Sequence, residues 1–241
     1  ADTQDVPHNT EIGIATNGAE TTTSSTISQP VTITGTASEV IYYMDTKQAF
    51  EEHWSYAGDV DKVLDEMALN PSYYAWERIS VSSIENNTLV FEDLDFSEEY
   101  VIIATVVSTV NGETLTSDKY IHITATTADP VIIASTDPAY ADAVPAVSDV
   151  AYTPAEFGGG NVTATVTAKN DTDTWYYYLG EIDGSVTGTD LVRTVMQYGR
   201  LMTGSQEVSG YSYDTNPNIY VMLVASDGTI YEPVVTPVPV E

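Results

Sequence analysis

The groups that could do chemistry are scattered. His8, His53 and His122 are the histidines of the chain, and there is no cysteine. The three imidazoles are dispersed along the sequence at no spacing that would bring them together, so no metal-ligand or base–nucleophile pattern links them. Without a thiol there is no thiolate metal site, no thiol catalysis and no disulfide. The carboxylates number 36, so many that a pair for acid–base work can be drawn almost anywhere, and their abundance argues for none. The chain contains no G-x-S-x-G, no H-E-x-x-H and no phosphate-binding glycine loop, and the reading that follows is of a protein that is not an enzyme.

Binding chemistry is better represented. Asp93, Asp95, Glu98 and Glu99 form one acidic cluster, and Asn170, Asp171 and Asp173 another. Hard oxygen ligands at alternate positions suit Ca2+, although the glycine-centred loop of an EF-hand is missing and a solvated acidic loop is the commoner meaning of such clusters. Tyr73, Tyr74 and Trp76, with Trp175 in the second half, could form a stacking platform for a glycan; packing in a core is the competing use. Thr10 to Thr16 alternates, with Ile12 and Ile14 on one face, and reads as a strand. It could pair with a neighbouring copy or fold back as the first strand of its own domain.

Seven Lys plus Arg face those 36 acids, for a formal net charge of -29. Nucleic acid is excluded as a partner, because cations must replace counterions on phosphate. Anionic membrane surfaces are excluded on the same ground. No apolar run approaches the ~20 residues of a membrane helix, so no membrane insertion is expected. A composition rich in Thr and poor in Lys favours a secreted or cell-surface location. Ala1 at the start fits either processing on export or a trimmed chain.

The elements that position these groups come as a repeat. Val31-Thr32-Ile33-Thr34-Gly35-Thr36-Ala37 leads into Tyr42-Tyr43-Met44, and Val162-Thr163-Ala164-Thr165-Val166-Thr167-Ala168 leads into Tyr176-Tyr177-Tyr178-Leu179. In the first copy the period then changes to helical, with Asp45 and Thr46 both suited to be N-caps and Phe50, Trp54, Val63, Leu64 and Met67 on apolar faces. The run Val101 to Val110 is apolar on both faces, which requires cover on both: an opposing sheet and, on the outer side, those helices. Asn111-Gly112 marks a hairpin. In the second copy Asp190 to Met196 is the helical part and Ile219 to Ala225 the two-faced strand. The stretches Thr21 to Ser28 and Asp137 to Pro154 read as polar or Pro-containing loops.

Leu94 to Tyr100 ahead of an apolar strand, a hairpin and a last strand ending in Thr124-Ala125-Thr126-Thr127 resembles the end of a fibronectin type III domain. There a leucine several residues before a tyrosine marks the corner between sheets. The Tyr-Tyr-Met strand with its helical insertion resembles a variant found in surface proteins of Bacteroidetes-type bacteria. In the second copy Val208 to Tyr213 lacks that spacing. The expectation is an all-β chain of two tandem immunoglobulin/fibronectin-III-like sandwiches, each with a helical insertion. Residues 1–28 would be an arm, 29–127 the first sandwich with its insertion near 45–76, and 128–241 the second, with a shorter insertion near 181–203 and an extended tail. The resemblance implies extracellular spacing, adhesion or glycan handling. Together with the alternating Thr10 to Thr16 segment, the expectation is a structural or adhesive homopolymer joined partly by intermolecular strand pairing, with a glycan-binding surface module as the alternative.

Overall fold

The computed structural model describes residues 6–72 and 77–240, and the chain divides into two units at Asp129/Pro130. Each is a β-sandwich, antiparallel except for one parallel pair in the second unit. In the first, β1 (Gly13–Thr16) and β2 (Thr21–Thr22) flank one edge of β3 (Ile27–Thr34). The expected polar loop before Ile27 is thus part of the sheet. Pro30 of β3 has no N–H to give, and buried Gln29 instead donates its side-chain amide to the Gly18 and Pro30 carbonyls, at 3.1 and 2.8 Å. The second sheet runs through β4 (Glu39–Thr46). After it come α1 (Lys47–Glu52), α2 (Val60–Leu69), β5 (Glu77–Ser80), β6 (Thr88–Phe91), β7 (Glu99–Val110) and β8 (Glu113–Thr126). Strand β6 pairs with β3, and the others form the order β5-β4-β7-β8.

Strand β7 has two apolar faces, and both are covered. Tyr100, Ile102, Ala104 and Val106 meet Ile27, Val31, Leu89 and Phe91 of the other sheet. Val101, Ile103 and Val107 join Ile41 and Tyr43 of β4 under Phe50, Tyr56, Val63 and Met67 of the helical segment. Thr46 caps α1 by accepting from the Ala49 N–H at 3.1 Å, and Asp59 caps α2 through the Asp61 N–H at 3.0 Å. Two residues depart from the expected lid. Helix α1 stops at Glu52, because His53 turns to an extended conformation. Trp54 is thereby thrown outward, 91% exposed, and Tyr56 fills the place under the lid. Leu64 sits at the rim, partly buried. At the sheet corner, the Asp95 N–H donates to the Tyr100 hydroxyl at 2.9 Å, while Leu94 is buried in the core.

The second unit has β9 (Ile132–Ile133), α3 (Tyr140–Ala143), β10 (Ala146–Pro154), β11 (Gly160–Thr167), β12 (Thr174–Gly180), α4 (Gly188–Tyr198), β13 (Arg200–Thr203), β14 (Gln206–Ser212), β15 (Asn218–Val224), β16 (Ile230–Tyr231) and β17 (Val234–Pro237). One sheet is β10-β11-β14; the other is β13-β12-β15-β16-β9, with β17 also on β15. The expected loop 137–154 therefore holds a nine-residue edge strand. Its outer residues are polar or small, and its ladder breaks between Ser148 and Ala151, where Asp149 takes φ 53°. The tail does not run free either: β17 pairs with β15 and Val238 is buried. The two repeats share a central strand order, β5-β4-β7-β8 in the first and β13-β12-β15-β16 in the second, to which the second adds β9 and β17. Tyr42 lies opposite Glu77, the first residue after the first insertion, and Tyr177 lies opposite Arg200, the first residue after the second.

Because Met67 is fully buried beneath α2 and Trp54 is solvated, truncation of each to alanine separates lid from surface. Met67→Ala is expected to destabilise the first unit by ~2–5 kcal/mol, and Trp54→Ala by less than ~0.5 kcal/mol, read from urea unfolding followed by fluorescence and circular dichroism.

Candidate functional site

The most elaborated polar construction is the seam between the chain's first strand and the last strand of the first unit. It starts with a bulge. The β7–β8 register runs Thr105↔Tyr120 and then Val107↔Thr116, so residues 117–119 bow out of the ladder. Inside the bow, Ser117 accepts from the Lys119 N–H at 2.9 Å, and Thr105 donates to the Lys119 carbonyl at 2.7 Å. A bulge ends regular pairing and turns backbone groups toward another partner. Here the partner is the segment ahead of β1. The Asn9 N–H donates to the Thr116 carbonyl at 2.8 Å, and the Asn9 amide to the Ser108 hydroxyl at 2.7 Å. Ser117 donates to the Ile12 carbonyl at 2.7 Å, and the His8 ring nitrogen lies 3.2 Å from the Thr116 hydroxyl.

Thr105, Ser108, Thr116 and Ser117 are all buried, which a hydroxyl tolerates only when hydrogen-bonded. The arm and the bulge supply those bonds. Ile12 and Ile14 then enter the core between the sheets, 2% and 3% exposed, and β1 pairs with β3 from Gly13↔Thr34 to Thr16↔Val31. Gly35 closes the seam. It stands at φ +72°, and a β-carbon there would run into the Glu11 carbonyl oxygen. Gly35 is the turn beyond β3 rather than part of the repeated strand, and it is glycine because the arm passes against it. Of the two pairings open to the Thr10 to Thr16 segment, this structure shows the one in which β1 is seated in its own domain. Asn9, Ser108 and Ser117 were not singled out, since a polar residue in an edge strand reads as solvated until the bulge is known.

The acidic clusters do not assemble. Among the described residues no three His, Cys, Asp or Glu side chains gather closely enough to hold a metal ion. At the first expected calcium site, Glu99 is committed to Lys47 at 3.1 Å. Asp95 serves through its backbone, accepting from Thr127 at 2.5 Å and donating to Tyr100, while Asp93 takes the left-handed turn position at φ 59°. Glu98 lends its N–H to the Thr127 hydroxyl at 3.0 Å. At the second, Asp173 accepts from the Asn170 N–H at 2.9 Å and from the Asn170 amide at 3.1 Å, and Asp171 is exposed; this is a locked turn. The three histidines stay apart: His53 stacks on Tyr56 with ring centroids 4.3 Å apart, and His122 lies on β8 opposite Ile103.

Of the four residues expected to form a glycan platform, one is described. Trp175 is wholly buried in the second core and donates its indole N–H to the Gly204 carbonyl at 2.9 Å. Tyr73, Tyr74 and Trp76 lie outside the described residues. The inner tyrosines carry the electrostatics. Burial raises the Tyr42 phenol to about 12, and the Glu77 carboxylate opposite adds to the shift. Burial also raises Tyr43, whose hydroxyl donates to Asp45 at 3.2 Å, and Tyr177, where Arg200 partly opposes the effect from 5.5 Å over the ring.

The chain matches no protein-family model and no curated protein.

Two outcomes follow. Gly35→Ala combines a positive φ with a collision against backbone, and is expected to cost about 1–3 kcal/mol or more in urea unfolding of the first unit. Alkali is expected to destabilise the fold. In the unfolded chain tyrosine ionises near pH ~10, whereas Tyr42 keeps its proton to about 12. Between those values the unfolded chain binds fewer protons, so stability is full below ~10 and falls as pH rises through the folded value. A thermal-melting series across that window checks the sign; melting that holds level or rises through it contradicts the assignment.

Proposed function

We propose that the protein is a non-enzymatic, extracellular structural and adhesive subunit built from two fibronectin-type-III-like or immunoglobulin-like repeats, which joins to copies of itself by exchanging β1. The observation that carries this reading is the seam. Strand β1 and the residue ahead of it contribute two apolar anchors, Ile12 and Ile14, and a four-residue ladder, yet the exposed loop 17–20 is what joins them to the rest of the sheet. A strand tethered in this way offers the same partners to the β3 edge and β8 bulge of another copy, with the same hydrogen bonds re-formed in trans. The repeat reading draws support from the strand order shared by both units and from the Leu94–Tyr100 corner.

The absence of cysteine makes a decisive lock available. Ala15 and Thr32 are register partners with exposed side chains. In the double variant Ala15→Cys/Thr32→Cys, oxidation ties β1 to its own domain without disturbing the core. Full-length protein at high salt or with divalent cations is expected to form polymers visible by negative-stain microscopy, the oxidised variant to remain monomeric, and reduction to restore assembly. A wild-type chain that stays monomeric across those conditions, or an oxidised variant that polymerises like wild type, removes strand exchange from the reading.

A further inference from the structure

The outer face of the β10-β11-β14 sheet carries a built surface that the seam does not use. Along β14, Val208 and Ser212 point into the core, which turns Glu207, Ser209 and Tyr211 to solvent. Their neighbours on β11 are fixed by register: Thr165 opposite Glu207, Thr163 opposite Ser209 and Asn161 opposite Tyr211. At one end lies an open groove of about 480 Å3 lined by Asp149, Thr163, Thr165, Glu207 and Ser209, among others. At the other end Tyr211 and Tyr213 stand as a pair, ring centroids 4.8 Å apart and planes inclined by 57°.

That pair is held in place. The Tyr211 hydroxyl donates to the Gly158 carbonyl. Gly159 stands at φ +68°, and a β-carbon there would come within 2.9 Å of the Tyr211 ring and 3.1 Å of the Tyr213 ring. The glycines of the hairpin therefore let its backbone lie directly against both rings. Phe157, 92% exposed, caps the same hairpin, and Tyr213 is 79% exposed. Large aromatic rings left in solvent while their edges are fixed by backbone are pre-organised for stacking, because little side-chain freedom remains to be lost on binding.

We propose that this face binds a neutral glycan chain, with the Tyr211–Tyr213 pair stacking on the C–H face of a sugar ring and the Thr163, Thr165 and Glu207 row bonding its hydroxyls. The chemistry selects the ligand. Carboxylates and hydroxyls accept from and donate to sugar hydroxyls. The residues lining the groove include two carboxylates and no cation, and the chain's net charge of -29 repels a polyanion. From Glu207 to Tyr211 the strand advances ~13 Å at ~3.3 Å per residue, the footprint of a short oligosaccharide. A cationic peptide is the competing ligand, but it would leave the row of uncharged threonines without a use. This deepens the adhesive part of the reading above, and it does not depend on strand exchange.

The charge also supplies the assay, since the chain migrates fast in native electrophoresis. Full-length protein is run through gels containing dissolved glucomannan, arabinoxylan or mixed-linkage β-glucan, and the intrinsic fluorescence is titrated separately with hexalysine. At least one neutral polysaccharide is expected to retard the chain, with retardation insensitive to salt. Tyr211→Ala/Tyr213→Ala is expected to weaken that binding by about tenfold or more, at a melting temperature that shows the sheet intact. Thr163→Arg, which fills the groove and leaves the rings alone, is expected to weaken it as well. Retardation by none of the three polysaccharides, equal retardation of both variants and wild type, or a response to hexalysine alone overturns the proposal. Each of those failures leaves the polymer question to microscopy, so the two readings fall separately.

Discussion

Everything in the first unit depends on one strand having two apolar faces. Ile102, Ala104 and Val106 of β7 look into the sandwich, while Val101, Ile103 and Val107 look out of it. A sheet covered only by its partner sheet would leave the outer set in water, at a cost of ~1.5–3 kcal/mol for each large side chain. The segment between β4 and β5 meets that constraint by becoming helical and lying across the outer face. The same solution recurs in the second unit, where Ile219 and Val221 of β15 face inward and buried Tyr220 and Met222 lie on the other side, with α4 packed on β12 and β15. The insertion is therefore as much part of the core as the sheets are.

The seam follows from a second constraint, the need to satisfy polar groups that burial has isolated. Four hydroxyls near the β8 bulge are out of solvent, and an unsatisfied one costs ~1–3 kcal/mol. The bulge and the arm answer one another: the bulge exposes Ser117 and Thr116 to the arm, and Asn9 and Ile12 complete their hydrogen bonds. Gln29 plays the corresponding part where Pro30 interrupts the ladder. Each polar side chain repairs a break in regular pairing, which is why these positions are specific rather than interchangeable.

What the sequence disclosed was whatever rests on local period. The two-faced run of β7, the switch to helical spacing after Thr46, the hairpin at Asn111 and the repeated Thr strands are patterns within a dozen residues, and they lie in the elements expected. What it concealed was set by distant partners. Trp54 continues the apolar spacing of α1, but the helix ends two residues earlier and the ring turns out. Trp175 and the surface aromatic pair have the same residue chemistry; only the sheet register separates a core indole from Tyr211 and Tyr213 on the outer face. The acidic clusters look like ligand sets in one dimension, yet Asp173 and Glu99 are each taken up by a neighbour. Strand β10 was hidden by alanines, prolines and a bulge, the features that keep an edge strand from pairing with strangers.

Those edge devices bear on how copies could meet. Asp149 in a left-handed bulge and Pro154 blunt β10, while Pro233 and Pro237 flank β17. Simple addition of one sheet edge to another is thus opposed at both places, and opposed again by charge, since 36 acids face seven Lys and Arg. Exchange of a strand escapes the first obstacle, because it re-forms contacts that the closed domain already has. Its contact energy nearly cancels, so the balance between closed and exchanged forms is left to two smaller quantities: the entropy of joining chains and the repulsion between them. Repulsion between exposed charges is screened over ~10 Å at 0.1 M salt and ~3 Å at 1 M. An acidic chain that assembles by exchange is therefore governed by the ionic strength around it, with the fold of each domain the same on either side of the transition.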